Sequence, residues 1–259
     1  MFSAFDLTGQ VALVTGGNGG IGLGMAAGLA QAGADVMIWG TNEQKNARAV
    51  AQLAPHGTRI ESRIVDVSSE QAVVDAMRDA ASAMGRIDSV FANAGVGNDW
   101  KSFLDIGGAA YHRLMGINVD GVLWTVREAC RHMKSRAEAG DPGGSIIIVS
   151  SMVSRFGAAR SEDYALAKTA VNGITRSVAV EFARYGIRCN SVLPGWVATD
   201  MSQSLQESDA FTDKVIARVP QRRWGRADEF AGIAVYLASE ASSFHTGDEI
   251  LIDGGYTAF

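Results

Sequence analysis

The sequence predicts an α/β fold built on a doubly wound, seven-stranded parallel sheet with helices on both faces. Short β-branched runs alternate with longer amphipathic segments along the 259 residues, a pattern typical of parallel sheets with helical crossovers. The run Ile146–Val149 is continuously apolar, as expected for a strand that is buried on both faces. A glycine-rich turn joins the first strand-like run to the first helix-like segment.

Seven runs are predicted to be strands, and in chain order they are Val11–Thr15, Asp35–Gly40, Arg59–Val65, Ile87–Ala92, Ser145–Ser150, Ile187–Leu193 and Glu249–Ile252. Helix-length segments lie between them at 20–32, 43–54, 69–84, 111–137, 161–184 and 226–238. No linker, repeat or low-complexity stretch divides the chain. We therefore expect residues 1–259 to form a single domain.

The composition is that of a folded protein and excludes several functions. Hydrophobic residues make up 47% and the net charge is −5, which argues against disorder and against nucleic-acid or anionic-membrane partners. No apolar run is long enough to span a membrane, and the N-terminus does not have the pattern of a secretion signal. Cys130 and Cys189 do not form a motif spacing, so we expect a reducing, cytoplasmic setting. The four histidines are scattered, and no metal site is predicted.

The glycine-rich turn explains part of an unusual composition, 30 glycines against 4 prolines. Residues Thr15–Gly24 include the pattern Gly17-x-Gly19-x-x-Gly22, and a second register fits from Gly22 to Ala27. A pattern that fits twice is weak alone, but its strand–turn–helix–strand context is typical of a Rossmann-like dinucleotide site. There, glycines let the backbone approach a pyrophosphate at the helix N-terminus.

The residues that would choose between NAD and NADP are absent. Dinucleotide sites often carry an acid near the end of the second strand, to bind the ribose 2′-hydroxyl. Met37–Asn42 contains no Asp, Glu or Arg. The nearest cations, Lys45 and Arg48, lie in the next predicted helix.

A tyrosine and a lysine share one helix face. Tyr164 and Lys168 are four residues apart, so their side chains are neighbours on a helix. A nearby ammonium lowers the pKa of a phenol, which suits a general acid/base for alcohol–carbonyl interconversion. Ser150 and Ser151 end the fifth predicted strand, at the sheet edge where such folds bind ligands; a hydroxyl there could hold a carbonyl or simply cap the turn.

Together these motifs resemble the short-chain dehydrogenase/reductase family over essentially the whole chain. Seven segments resemble the family's motifs in order: Thr15-Gly16-x-x-x-Gly20-x-Gly22, Asp66-Val67, Asn93-Ala94-Gly95 (with Ala92 in place of the family's first Asn), Asn118, Ser151 placed 13 residues before Tyr164, Pro194-Gly195 followed by Thr199, and Asp253-Gly254-Gly255.

The resemblance implies roles for these residues. Tyr164 would be the acid/base, Lys168 would lower its pKa and hold the nicotinamide ribose, and Ser151 would orient the carbonyl. Asn118 would position a water in a proton relay, unless it is only a helix-kink residue. Cofactor contacts would come from Gly16, Asn18, Gly19, Gly20, Ile21, Gly22, Gly40, Thr41, Asn42, Asp66, Val67, Asn93, Ala94, Gly95, Tyr164, Lys168, Pro194, Gly195, Val197 and Thr199.

The resemblance also bears on cofactor choice. NAD-preferring members carry an acid at the position of Gly40, whereas many NADP-preferring members carry Arg at Thr41 or a basic residue in the loop at Asn18 or Gly19. This chain has neither. Without a dedicated phosphate clamp, the interpretation is NAD or NADP with a slight lean to NAD.

The substrate is predicted only by class. Substrate-contacting loops are expected near 96–100, 152–160 and 195–215, where the chain has Trp100, Arg155, Phe156, Arg160, Trp196 and the segment Met201–Arg218. A substrate lid is expected around 199–225. The arginines could bind a carboxylate or hydroxyls or be solvated loop charges. A sugar, polyol or hydroxy acid is favoured.

Two other functions stay open, a 3-oxoacyl thioester reductase and a non-catalytic dinucleotide-binding protein. The resemblance further implies a homotetramer that packs through 111–137, 161–184 and the C-terminal strand. The paucity of charge on the second of these helices supports that expectation weakly.

Overall fold

One parallel sheet runs through the protein. The computed structural model describes residues 3–98 and 100–258. Its strands in chain order are β1 Val11–Thr15, β2 Asp35–Gly40, β3 Ile60–Ile64, β4 Ser89–Ala92, β5 Gly144–Val149, β6 Ile187–Pro194, β7 Val197–Ala198, β8 Gly225–Arg226 and β9 Glu249–Ile252. Seven form a parallel sheet in the order β3-β2-β1-β4-β5-β6-β9, and β7 pairs with β8 separately. The prediction of a seven-stranded parallel sheet is confirmed.

Helices cover both faces of this sheet. They are α1 Gly20–Gln31, α2 Glu43–Leu53, α3 Glu70–Met84, α4 Gly108–Met115, α5 Gly121–Glu138, α6 Glu162–Phe182, α7 Gln203–Gln206, α8 Asp209–Ile216 and α9 Ala231–Ala238. Successive β1 residues enter different cores: Leu13 packs into one cluster with residues of α3, α5 and α6, and Val14 into the other with residues of α1, α2 and α9. This explains why the central strands are apolar without alternation.

The predicted helix 111–137 is interrupted. α4 ends at Met115, a π-helical turn covers Gly116–Asp120, and α5 begins at Gly121. The N–H of Gly121 bonds to the carbonyl of Gly116, five residues back. Prediction of one regular helix was therefore wrong, because periodicity does not reveal a single inserted residue of this kind. The turn carries Asn118.

Smaller differences also lie at element ends. The last helix begins at Ala231 rather than at 226, because residues Ala227–Phe230 form a 3₁₀ turn. The Glu229 carboxylate accepts the N–H of Arg226 at 2.7 Å and so caps that turn. Strand β5 ends at Val149, one residue before Ser150. Among the described residues, no helix is long and apolar enough to cross a membrane.

Candidate active site

The carboxyl ends of β1 and β4 are tied together at the centre of the sheet. Thr15 Oγ accepts the N–H groups of Asn93 (3.0 Å) and Ala94 (2.9 Å). Asn93 Nδ2 donates to the carbonyl oxygens of Thr15 (2.9 Å) and Gly16 (3.3 Å). The strand order reverses between these two strands, which is where open α/β sheets form a ligand-binding crevice.

The glycine loop above this junction forms a cradle for a phosphate group. Gly16 and Gly20 have φ of 64° and 51°, where a side chain would be strained. A Cβ on Gly22 would lie 2.4 Å from both Asn93 Nδ2 and the Gly16 carbonyl. Helix α1 follows directly, and its N-cap residue Gly19 has no side chain with which to cap the first N–H groups. These groups suit a pyrophosphate, so the residues present fit a nicotinamide dinucleotide.

A cavity of about 430 Å³ extends from this cradle across the ends of β4, β5 and β6. It brings together most of the predicted site residues: Gly16, Asn18, Gly19, Gly20, Ile21, Asn93, Ala94, Gly95, Ser151, Tyr164, Lys168, Pro194, Gly195, Val197 and Thr199. The other predicted residues lie outside its lining: Gly22, Gly40, Thr41, Asn42, Asp66, Val67 and Asn118.

Steric crowding at the end of β2 explains why position 40 has no acidic side chain. A Cβ on Gly40 would lie 2.2 Å from Asn18 Nδ2 and 2.5 Å from Asn46 Oδ1. Asn18 Nδ2 donates to Asn46 Oδ1 at 2.7 Å. The amide pair therefore occupies the space that a side chain at position 40 would need.

Two further predicted cofactor contacts have visible local roles. Asn42 Oδ1 accepts the Lys45 N–H at 2.9 Å and caps α2. Asp66 Oδ1 accepts the Ser68 N–H at 3.0 Å in the turn after β3. Val67 is buried, and a Cβ on Gly121 would lie 2.7 Å from its Cγ2.

Ser151, Tyr164 and Lys168 meet on one wall of the cavity. Ser151 follows β5 and accepts the Val153 N–H at 3.3 Å, while Tyr164 and Lys168 lie on α6. Lys168 Nζ lies 5.6 Å from the centre of the Tyr164 ring and donates to the Val149 carbonyl at 2.8 Å. The predicted helix spacing thus places both side chains at one site.

Burial determines the charge states of this pair. It raises the pKa of Tyr164 to about 12, and a hydrogen bond with Ser151 opposes that rise. It lowers the pKa of Lys168 to about 8. The causes that act on the pKa of Tyr164 in this structure are burial and Ser151; that Lys168 lowers it stays a prediction. The ammonium is held by the Val149 carbonyl, and desolvation disfavours both charged forms.

Asn118 joins the π-helical turn to the loop after β4 by hydrogen bonds. Its side-chain oxygen accepts the Val96 N–H and its amide donates to the Val96 carbonyl, both at 2.8 Å. The side chain is fully buried. A Cβ on Gly95 would lie 3.2 Å from Asn118 Oδ1 and 3.5 Å from Lys168 Nζ, so Asn118 and Lys168 both lie beside Gly95.

The two candidate substrate arginines lie outside the cavity lining. Arg155 Nε pairs with the Glu249 carboxylate at 3.0 Å, and Glu249 also binds Arg176 and Asn172. Arg160 has φ of 66° and its N–H donates to Glu162. Of the two interpretations of Arg155, the substrate role is not supported, because the Glu249 carboxylate engages it.

Asp163 is a site residue that sequence reasoning missed. It is 3% exposed, and its carboxylate accepts Trp100 Nε1 at 2.8 Å, the Tyr164 N–H at 2.8 Å and the Asn98 amide. An acid in the first turn of a helix is usually explained by the helix dipole. Only the fold shows that it also holds the loop after β4.

Ser150, named in the sequence beside Ser151, also lines the cavity. Other lining residues were predicted only as loop ranges or not at all: Gly97, Asn98, Val149, Met152, Val153, Ser161, Asp200, Met201, Ser202 and Leu205. Asp200 pairs with Lys45 of α2 at 2.8 Å, which lowers the pKa of Asp200. This pair joins the segment after β7 to the helix that follows Gly40.

The segment 199–225 is held at its start by the Asp200–Lys45 pair and packs on aromatic rings further along. The Trp196 ring contacts Phe211 of α8 edge-on, with ring centres 5.4 Å apart. Arg218 stacks on Tyr256, 4.7 Å from its ring centre, and Val215 packs in the same apolar cluster. Met201 faces the opposite loop, since a Cβ on Gly97 would lie 3.5 Å from its Cγ.

The chain is similar to known proteins over nearly its whole length. A family model described as enoyl-(acyl carrier protein) reductase matches residues 16–257. The chain is 34% identical to a gluconate 5-dehydrogenase of Gluconobacter oxydans over 98% of its own length and 96% of that protein. It is 34% identical to a sorbose reductase of Schizosaccharomyces pombe, covering 99% of each chain. A gluconate 5-dehydrogenase of Burkholderia cenocepacia, solved in complex with NADP and tartrate, superposes with a TM-score of 0.93 at 35% identity, covering 99% of this chain and 98% of that one.

Proposed function

The chain belongs to the short-chain dehydrogenase/reductase family and is a nicotinamide-dependent oxidoreductase; we propose that it interconverts the carbonyl and secondary hydroxyl groups of a sugar, polyol or hydroxy acid. The observation that carries this proposal is the meeting of Ser151, Tyr164 and Lys168 beside the glycine cradle in one cavity. The relatives named above act on gluconate and sorbose, which supports the substrate class.

The proposed chemistry follows from the positions of the three side chains. When bound, the dinucleotide supplies or accepts the hydride. The Tyr164 hydroxyl, kept protonated at neutral pH by burial, donates a proton to the substrate oxygen during reduction. For oxidation Tyr164 must first release that proton, so that its phenolate accepts the proton of the substrate hydroxyl. Ser151, which hydrogen-bonds Tyr164, orients that oxygen and stabilises its developing charge. Lys168, held by Val149, is placed to contact a ribose. Asn118 fixes the loop and the π-helical turn behind it.

We propose that NADP is preferred over NAD. The lean to NAD has no support from the similar structure solved with NADP. Gly40 leaves no acid that would repel a 2′-phosphate. Lys45 lies in the first turn of the neighbouring helix α2, and its ammonium pairs with Asp200, which lines the cavity. That ammonium is the group best placed to pair with the phosphate.

We also propose an oligomeric state, a domain count and a lid for this protein. Leu123, Leu166 and Val180 of α5 and α6 are exposed, which supports a homotetramer packed through these helices. Buried free thiols at Cys130 and Cys189 fit the cytoplasm. We propose one domain over 1–259 and a lid at 199–225, which covers the cavity with Met201 and Leu205.

A substrate panel run with both cofactors tests the function. We expect oxidation of polyols or reduction of ketoses with NADP(H), and little turnover of 3-oxoacyl thioesters. Efficient thioester turnover would instead support the alternative. Cofactor binding with no turnover of any carbonyl or alcohol would support a non-catalytic dinucleotide-binding protein.

A further inference from the structure

The substrate half of the cavity is short of positive charge. Beyond Ser151, its wall consists of Met152, Val153, Trp196, Met201 and Leu205, with Gly97, Asn98 and Ser161 as the neighbouring small and polar residues. Among the described residues that line the cavity, the ionisable side chains are Tyr164, Lys168 and Asp200. The wall therefore offers an apolar face, hydroxyls and an amide.

Three arginines of the surrounding loops are engaged elsewhere, and Arg160 lies outside the cavity lining. Arg155 pairs with Glu249, whose side chain is only 10% exposed, and Arg218 lies over the rings of Phe156 and Tyr256. Arg223 pairs with Glu229 at 2.6 Å.

Lys168 is not free for a substrate anion either. Its ammonium donates to the Val149 carbonyl, and burial lowers its pKa to about 8. The third ionisable group of the lining is the Asp200 carboxylate, which pairs with Lys45. A substrate carboxylate in this cavity would lose hydration without gaining a cation, which is unfavourable.

We propose that this enzyme selects neutral substrates, namely ketoses and polyols that have no carboxylate, over sugar acids. This inference rests on the proposed function and narrows its substrate class. The apolar residues on the wall accept the carbon face of a neutral sugar, while Asn98, Ser151 and Ser161 are available to its hydroxyl edge.

Matched substrate pairs test this proposal, because each pair differs only in a carboxylate against a hydroxymethyl group. The pairs are D-gluconate against D-sorbitol for oxidation, and 5-keto-D-gluconate against L-sorbose for reduction. We expect kcat/KM to be at least about tenfold higher for the neutral member, which corresponds to one missing charge-assisted hydrogen bond. Equal or higher kcat/KM for the acids would overturn the proposal and leave the proposed function standing. Turnover of thioesters alone would overturn both.

Supplying the missing cation gives an independent test. Met201→Arg should raise the acid-to-neutral ratio of kcat/KM about tenfold relative to Met201→Gln, the neutral control. Leu205→Arg with Leu205→Gln repeats the test at a second position, should the first variant fold poorly. An unchanged ratio in folded Arg variants at both positions would overturn the proposal, since the apolar wall would then not be what excludes the acid.

Discussion

Trp100 Nε1 donates a hydrogen bond of 2.8 Å to the carboxylate of Asp163, the residue directly before Tyr164. The loop after β4 is thereby fastened to the first turn of α6, which carries Tyr164 and Lys168. Because Gly97 and Asn98 of that loop line the cavity, the contact sets the width of the substrate site without touching the dinucleotide cradle.

Removing the hydrogen bonds of Asp163 should weaken substrate binding more than cofactor binding. The Asp163 carboxylate accepts three hydrogen bonds, and Asp163→Asn replaces it by an amide with only one acceptor oxygen. Trp100→Phe removes one of the three donors. We expect KM for the substrate to rise about tenfold in the first variant, since a hydrogen bond to a charged group is worth about 1.5–3 kcal/mol. Steady-state kinetics and cofactor titration measure the two effects. Asp79→Asn, which breaks an exposed pair with Arg63, is the control. A cofactor affinity that falls as much as the substrate affinity would contradict this role.

Tyr164→Phe should remove turnover and preserve cofactor binding. The variant loses the hydroxyl that exchanges a proton with the substrate, and general acid–base catalysis contributes about 10²–10⁴-fold to a rate. The ring itself remains, so the cavity wall keeps its shape. Rates close to those of the wild type, measured with the best substrate of the panel, would show that Tyr164 is not the acid/base.

Lys168 should make the fold less stable at neutral pH. Its pKa falls from 10.5 to about 8 on folding, and one pKa unit corresponds to about 1.4 kcal/mol. The charged form therefore costs about 3 kcal/mol below pH 8, and this cost disappears as pH rises to 10.5.

Urea unfolding can measure this effect. After about 1 kcal/mol is subtracted for the lost hydrogen bond to Val149, Lys168→Met should be about 2 kcal/mol more stable than the wild type at pH 7. The difference should shrink by pH 10. Lys214→Met, at an exposed position on α8, should show no such trend. A constant difference at both pH values would contradict the buried-charge explanation.

Lys45 should distinguish the two cofactors. Lys45→Met is expected to weaken NADP binding about tenfold and NAD binding little, because only NADP carries the 2′-phosphate that the ammonium would pair with. Asp200→Asn should have the opposite effect, since it frees Lys45 from its present partner. Isothermal titration with each cofactor measures both variants, and Lys101→Met is a control at an exposed lysine. Equal losses for NAD and NADP would rule out a phosphate contact.

The sequence is informative where local pattern and topology act together. Runs of β-branched residues located all seven strands of the sheet to within two residues at each end, because each strand is short and the central ones are buried. The Tyr164–Lys168 spacing and the glycine loop were predictable for the same reason, since helix geometry and backbone conformation are local. The π-helical turn at Asn118 was not predictable, because it inserts one residue into an otherwise regular helical pattern.

Long-range partners were the part that sequence reasoning could not supply. Arg155 looked available for a substrate, but Glu249 lies 94 positions further along the chain. Asp163 looked like an ordinary residue at a helix start, yet it holds Trp100 from a different loop. Such pairings depend on which strand ends meet in three dimensions, and no local pattern records them.

The junction at Thr15 belongs to the dinucleotide half of the site, which is built into the sheet, whereas the substrate half is not. The strand ends are joined by hydrogen bonds between the side chains of Thr15 and Asn93 and backbone groups of the facing strand end, so substitutions there would disturb the sheet itself. The residues that face the substrate are side chains on connections that leave the sheet, at Met152, Met201 and Leu205. Evolution could therefore change the substrate by replacing a few of these side chains, while the dinucleotide site stays the same.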